Sequence, residues 1–262
     1  MIALFAFVMA LDAGTAASPI ANGAREAGAG ASAPAPTASP VLRNAKAILS
    51  DYAKAIGDES LWRRHKSLRV KRVVKVESMH FVSEDSTRIA RGGKLYEESQ
   101  LPDMGTFRRG SDGKIAWAED PIGGLRVLKG AEAEDVRLGA AWDSEWHLAD
   151  LYAEALSIPP PAGAPAGLGC ECVELRKKKA QPTRICFDRA THLRVWEQGV
   201  QAAQGGQVPY ATTFSDWQRV DGVLVWHHEV VSAGPVTMDD RIVEFVFDEP
   251  TPISLFMLPR KR

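Results

Sequence analysis

The residues whose types could do chemistry here are three closely spaced cysteines, two adjacent histidines, two adjacent aspartates and seven tryptophans. Cys170, Cys172 and Cys186 fall within a 17-residue stretch. Zinc normally takes four ligands, and the nearest histidine, His192, lies beyond the next strand, so no metal site is expected. A disulfide is the better reading. If the strands 170–176 and 183–188 flank a turn at 177–182, Cys172 stands opposite Cys186 and the two can bond. Cys170, two residues away in the same strand, faces the same side and competes for the bridge. Closing such a loop is worth about 3 kcal/mol and persists only in an oxidising compartment.

His227 and His228 are neighbours on a strand, so their rings point to opposite faces and cannot share a ligand; one is expected in solvent and one inside. Asp239 and Asp240 suggest an acid/base pair, but adjacent aspartates between strands ordinarily form a solvated turn. The segment His228-Glu229-Val230-Val231-Ser232 places Ser where a zinc protease needs its second His. No Gly-x-Ser-x-Gly elbow occurs, and Gly93-Lys94 and Gly113-Lys114 lack the Ser or Thr of a phosphate loop. The sequence therefore predicts a protein that is not an enzyme and holds no cofactor. The tryptophans leave two readings. They can be ordinary core, or they can line a cavity for an apolar ligand, with Trp117, Trp196, Trp217 and Trp226 as wall and Trp142, Trp146 and Leu151 as lid.

Composition sets the partners and the compartment. The 262 residues carry 32 basic and 33 acidic side chains, a net charge of -1, which announces no nucleic-acid surface. With 45% hydrophobic residues a sizeable core is available, and no apolar run reaches the roughly 18 to 20 residues of a membrane span. Residues 2–11 form an apolar block followed by small residues, the pattern of a secretory signal, with cleavage expected near Ala17 (signal peptide 1–17). Residues 18–41 contain 18 Ala, Pro, Gly or Ser among 24 and read as a disordered tether. A periplasmic or secreted monomer is expected.

The elements that must position these side chains make one α+β, mainly β, domain over 42–262. Ser39-Pro40 can start a helix in which Leu42, Ala45, Leu49, Tyr52 and Ile56 recur at helical spacing until Gly57, and Asp58 can cap a second short helix. About eleven strands follow, at 68–76, 94–99, 106–109, 114–118, 125–128, 172–176, 184–187, 193–198, 210–220, 223–231 and 241–247. Short Gly-bearing turns such as Asp221-Gly222 make them antiparallel neighbours. A helical insertion is expected over 130–156, where Val136, Leu138, Trp142, Trp146, Leu148 and Leu151 recur, and a Pro-rich loop over 159–165 ends it.

Seven segments stand out by their order and spacing. The first are Asp51 to Gly57 (DYAKAIG), Ser67 to Val70 (SLRV), Gly110 to Trp117 (GSDGKIAW) and Leu128 to Gly130 (LKG). They continue with Cys186 to Leu193 (CFDRATHL), Phe214 to Val223 (FSDWQRVDGV) and Phe256 to Pro259 (FMLP). In these segments the chain resembles the LolA/LolB-like family of periplasmic lipoprotein carriers and sensors. The resemblance implies a strongly curved antiparallel sheet, an unclosed barrel, with helices on its concave face. It implies a non-enzymatic protein whose apolar cavity binds lipid or lipoprotein acyl chains. The alternative is a protein-binding sensor or interaction module of the cell envelope, acting through the sheet edge or the convex face.

Overall fold

The computed structural model describes residues 42–141, 144–165, 169–176, 181–203 and 206–260; the expected signal peptide and tether, and Trp142, lie outside the described residues. Helix α1 spans Ala45–Ile56, with the Asn44 side chain accepting from the Lys46 N–H at 2.9 Å, so Asn44 is the cap; Ser39-Pro40 lies outside the described residues. Gly57 ends α1 at φ +137°. Asp58 caps α2, Glu59–Arg64, by accepting from the Ser60 N–H. Helix α3 is Gly130–Gly139.

Among the described residues thirteen strands form a single antiparallel sheet: β1 Ser67–Val76, β2 Phe81–Ala90, β3 Lys94–Leu101, β4 Gly105–Asp112, β5 Ala116–Asp120, β6 Gly124–Val127, β7 Glu154–Ile158, β8 Cys170–Arg176, β9 Thr183–Asp188, β10 Arg194–Ala203, β11 Gly206–Val220, β12 Val223–Ala233 and β13 Val236–Phe247. Their order is β6-β5-β4-β3-β2-β1-β13-β12-β11-β10-β9-β8-β7, so β6 and β7 are free edges and the sheet is open. Helix α3 touches β3, β4 and β5 and also β10. In a flat sheet β4 and β10 would lie about 34 Å apart at the usual strand spacing, whereas a helix is only about 10–12 Å across. The sheet therefore curls round the helices into a half-barrel.

Two strands exceed the eleven expected. β2 presents Ser83, Asp85 and Thr87 to the concave side between Phe81 and Ile89, so its three central inward positions are polar and interrupt the hydrophobic alternation. β7 lies within the expected helical insertion, which the structure confines to α3; residues 144–151 are turns and 154–158 pair with β8. The helix stops where Gly139 raises the cost of continuing it.

The concave core joins α1, α2 and α3 to the sheet through Ile48, Tyr52, Ile56, Val136, Val173 and Ile185. On the convex face the C-terminal segment crosses the sheet. Phe256 is buried there beside Tyr96 and Trp117, and the Trp117 indole donates to the Phe256 carbonyl at 3.2 Å. Gly110 makes this possible, since a Cβ there would sit 2.6 Å from the indole. At the other end Cys172 and Cys186 are register partners on β8 and β9 and form the disulfide, leaving Cys170 free and buried. Replacing both bonded cysteines with Ala is expected to lower the unfolding free energy by about 3 kcal/mol. Urea melts of this variant and of the parent, each with and without reductant, check it: only the parent should respond to reductant.

Candidate functional site

The roof helices and the concave face enclose a cavity of about 100 Å³. Its wall comes from Leu68, Val70 and Arg72 of β1, Ile89 of β2, Ile185 of β9, Arg194 and Glu197 of β10, Leu224, Val225 and Trp226 of β12, and Ile242 and Phe245 of β13. Its roof is Tyr52 and Ile56 of α1, Trp62 of α2, Leu138 and Gly139 of α3, and Glu145, Leu148, Leu151 and Tyr152 of the turn segment after α3. An apolar hole of 150 Å³ just admits a benzene ring. The cavity is smaller than that, so a guest of that size fits only if the roof moves.

One end of the cavity is polar. Arg194 is 2% exposed. Its Nη1 donates to Glu197 Oε2 at 3.2 Å, and its Nη2 lies 3.3 Å from Glu145 Oε1. The guanidinium carbon sits 4.0 Å from the Phe214 ring centre and 4.7 Å from that of Trp226, so aromatic faces cover the cation. Tyr52 donates its hydroxyl to Glu145 at 2.6 Å, and Tyr210 donates to Glu197 at 2.5 Å. Burial works against the Arg194 charge, but Glu145 first, then Tyr52 and Glu197, hold its pKa above the ordinary value. It remains charged. Burial, then Glu145, pushes the Tyr52 hydroxyl well up, so it stays a neutral donor.

This polar end belongs to a belt that runs across the concave face. Arg109 of β4 pairs with Glu97 of β3, directly opposite. Arg72 of β1 lies 3.7 Å from Asp240 of β13, and Asp240 faces Glu229 of β12 across the ladder. Burial raises the Asp240 carboxyl well above its ordinary range, Arg72 opposes this, and Glu229 and Asp85 add to it. Asp85 is raised as well, by burial. The belt was hidden in the sequence because its members are single polar residues on different strands. Asp239 and Asp240 do not form the expected solvated turn: both lie inside β13, and strand alternation sends Asp240 inward and Asp239 outward.

The expected wall and lid residues separate by face. Trp226 and Leu151 line the cavity. Trp217 packs on the concave core, 5.7 Å from Trp226 and 6.4 Å from Tyr52 between ring centres. Trp117 and Trp196 sit elsewhere: their neighbours Ala116, Ala118, Ile185 and Phe187 face the core, so alternation puts Trp117 under the C-terminal segment and Trp196 beside the disulfide under the Pro-rich loop. Neither is part of the wall. Trp146 packs on the core from the turn segment, beside two open surface grooves. Sequence reasoning missed Arg194, Glu145, Glu197 and Tyr52, for which no local motif exists.

The histidine pair also differs from expectation, since both rings are half-buried. His228 bridges Ser215 Oγ, 2.9 Å from Nδ1, and Asp239 Oδ2, 3.0 Å from Nε2. These three side chains form a cross-strand line on the convex face, with Ser215 exposed, and they border none of the cavities described above. The arrangement supports strand pairing.

A DUF1329 family protein from Desulfovibrio piger aligns with a TM-score of 0.54 at 12% identity, over 82% of this chain and 97% of that one. The LolA superfamily protein from Nitrosomonas europaea aligns with a TM-score of 0.54 at 9% identity, over 82% and 98%. The fold is LolA-like. An outer membrane lipoprotein-sorting protein domain from Vibrio parahaemolyticus matches this LolA-like half-barrel with a TM-score of 0.50 at 11% identity, over 81% and 97%. No family model and no curated protein matches the sequence.

The belt makes stability pH-dependent with a definite sign. A carboxyl raised in the folded state contributes fully below its ordinary value, about 3.9 for Asp, and its contribution is lost as the pH rises through the native value. Wild-type stability is therefore expected to fall as pH rises above about 4 through the titration of Asp240 and Asp85. Asp240→Asn is expected to flatten that slope by up to about 1.4 kcal/mol per pH unit, the effect of one proton. Urea titrations between about pH 4 and 8 check this. The lowered carboxyls, Glu244 and Asp51 among them, act below that window and with the opposite sign.

Proposed function

We propose that this chain is a non-enzymatic binding protein of the periplasm or cell exterior whose half-barrel takes up an acyl chain, of a lipid or of a lipoprotein, when the roof segment moves aside. The observation that carries the reading is the cavity itself: a mainly apolar wall on the sheet strands, roofed by the three helices and by the turn segment that follows α3. Each buried methylene contributes about 0.8 kcal/mol, so a chain of ordinary lipid length has ample driving force to displace a few roof contacts. The LolA-like fold, with one neighbour described as an outer membrane lipoprotein-sorting domain, supports the class of ligand, and the disulfide supports an oxidising compartment. Trp226 belongs to the wall and Leu151 to the roof. Trp217 packs beside Trp226 on the same concave face, and Trp146 belongs to the turn segment of the roof. No helix among the described residues is long and apolar enough to cross a membrane.

A second reading is a protein-binding module of the cell envelope. It is favoured by the small closed cavity and by the edge strand β6, whose Val127 is 49% exposed and whose preceding turn holds Ile122, 77% exposed. An extended peptide could add to that edge.

Native mass spectrometry followed by denaturing lipid extraction, on protein purified from the periplasm without detergent, separates the two. Acyl-chain mass is expected to co-purify, and Leu151→Asp is expected to reduce it about tenfold or more, since the chain would desolvate a charge. An apo mass that takes up no added lipid would overturn the carrier reading in favour of the protein-binding one.

A further inference from the structure

An arginine carries five N–H donors in a planar fork. Arg194 uses one of them well, from Nη1 to Glu197. Its Nε and Nη2 are buried and meet no hydrogen-bond acceptor, although Glu145 stands beside Nη2. Phe214 and Trp226 lie against the guanidinium, so what it offers is its edge, and the residue lines the cavity. A buried donor left without an acceptor is costly, which makes this edge a place where an arriving acceptor gains more than at the surface.

The charge around that edge decides which acceptor. Glu145 and Glu197 both contact the one guanidinium, and Glu229 adds its field. The positive charge is already over-compensated. A carboxylate or phosphate would bring a further negative charge into a site of low dielectric. An ammonium would bring only donors to a donor edge. A carbonyl oxygen brings two lone pairs and no net charge.

We propose that the Arg194 edge is a head-group subsite for an uncharged carbonyl oxygen, so that the cavity prefers acyl esters or amides to free fatty acids and alkyl amines. This rests on the acyl-binding reading. The acyl chain would extend from the subsite along Leu68, Val70, Leu148 and Phe245, which line the same cavity.

Four probes of equal chain length test it: methyl laurate, laurate, dodecylamine and dodecane, each measured against the full mature chain at pH 7.5 by tryptophan fluorescence and native mass spectrometry. Methyl laurate is expected to bind about tenfold or more tightly than dodecane, the effect of a hydrogen bond to a charged donor, and to bind more tightly than the other two. Arg194→Met is expected to level methyl laurate with dodecane, with far-UV circular dichroism confirming the fold. Because that variant leaves two carboxylates unpaired, Glu145→Gln supplies an independent readout. It removes one negative charge, and laurate is then expected to gain about tenfold relative to methyl laurate. Equal binding of all four probes would overturn the subsite while leaving the cavity reading intact, and tightest binding of laurate or dodecylamine would do the same. No binding of any probe would overturn both.

Discussion

A guanidinium buried to the extent of Arg194 can persist only if counter-charges and donors are fixed around it, and much of the interior follows from that requirement. Glu197 reaches it from its own strand, and Tyr210 on β11 orients Glu197. Glu145 reaches it from the roof segment and is held in turn by Tyr52 of α1. One cation thus ties together two strands, a helix and an otherwise irregular turn. Removing any member would leave a buried charge unmatched, which is why the roof, despite having little regular structure of its own, has a defined position.

The belt divides the concave face into two apolar regions. One lies beneath the helices; the other gathers Val74, Val76, Tyr210, Val231, Val236 and Met238 at the far ends of the central strands. Six carboxyl groups, Asp85, Glu97, Glu145, Glu197, Glu229 and Asp240, face three guanidiniums, Arg72, Arg109 and Arg194, and burial raises the carboxyls of Asp85 and Asp240. An apolar ligand that crossed the belt would have to desolvate these groups further. The belt therefore limits how deep a chain can penetrate, and the usable cavity stays on the helix side.

Much of the architecture was legible in the sequence, and the failures share a cause. Helices α1 and α2, their boundary at Gly57 and eleven strands follow from local periodicity and turn chemistry. So do the disulfide candidates, whose choice between Cys170 and Cys172 needed the register Cys172↔Cys186. β2 gives no strand signal at its centre because Ser83, Asp85 and Thr87 point inward there, and Asp240 reads as a turn residue for the same reason, a polar side chain that faces the interior. Face assignment failed for Trp117 and Trp196 because composition alone cannot say which parity of a strand points inward. Trp226 and Leu151 were legible as large apolar residues. Arg194 was not, since a buried charge is recognised only by the groups that chain topology brings to it.

The separated tryptophans explain which parts of the molecule can move. On the convex face Trp117 clamps the C-terminal segment and Trp196 packs beneath the Pro-rich loop, next to a covalent link between β8 and β9. Strand ladders behind the cavity are continuous from β1 through β13 to β10. The wall is thus stiffened from behind. The roof differs: after α3 it consists of turns held by the Glu145 contacts, by the packing of Leu148 and Trp146, and by the Ala153 N–H to the Arg176 carbonyl. Opening it breaks a few local bonds and leaves the ladder intact, whereas widening the wall would strain every strand pair at once. A ligand too large for 100 Å³ would therefore have to be accommodated from the roof side, and Glu145, a roof carboxylate that contacts both α1 and the sheet cation, is the contact whose loss would couple that opening to the site.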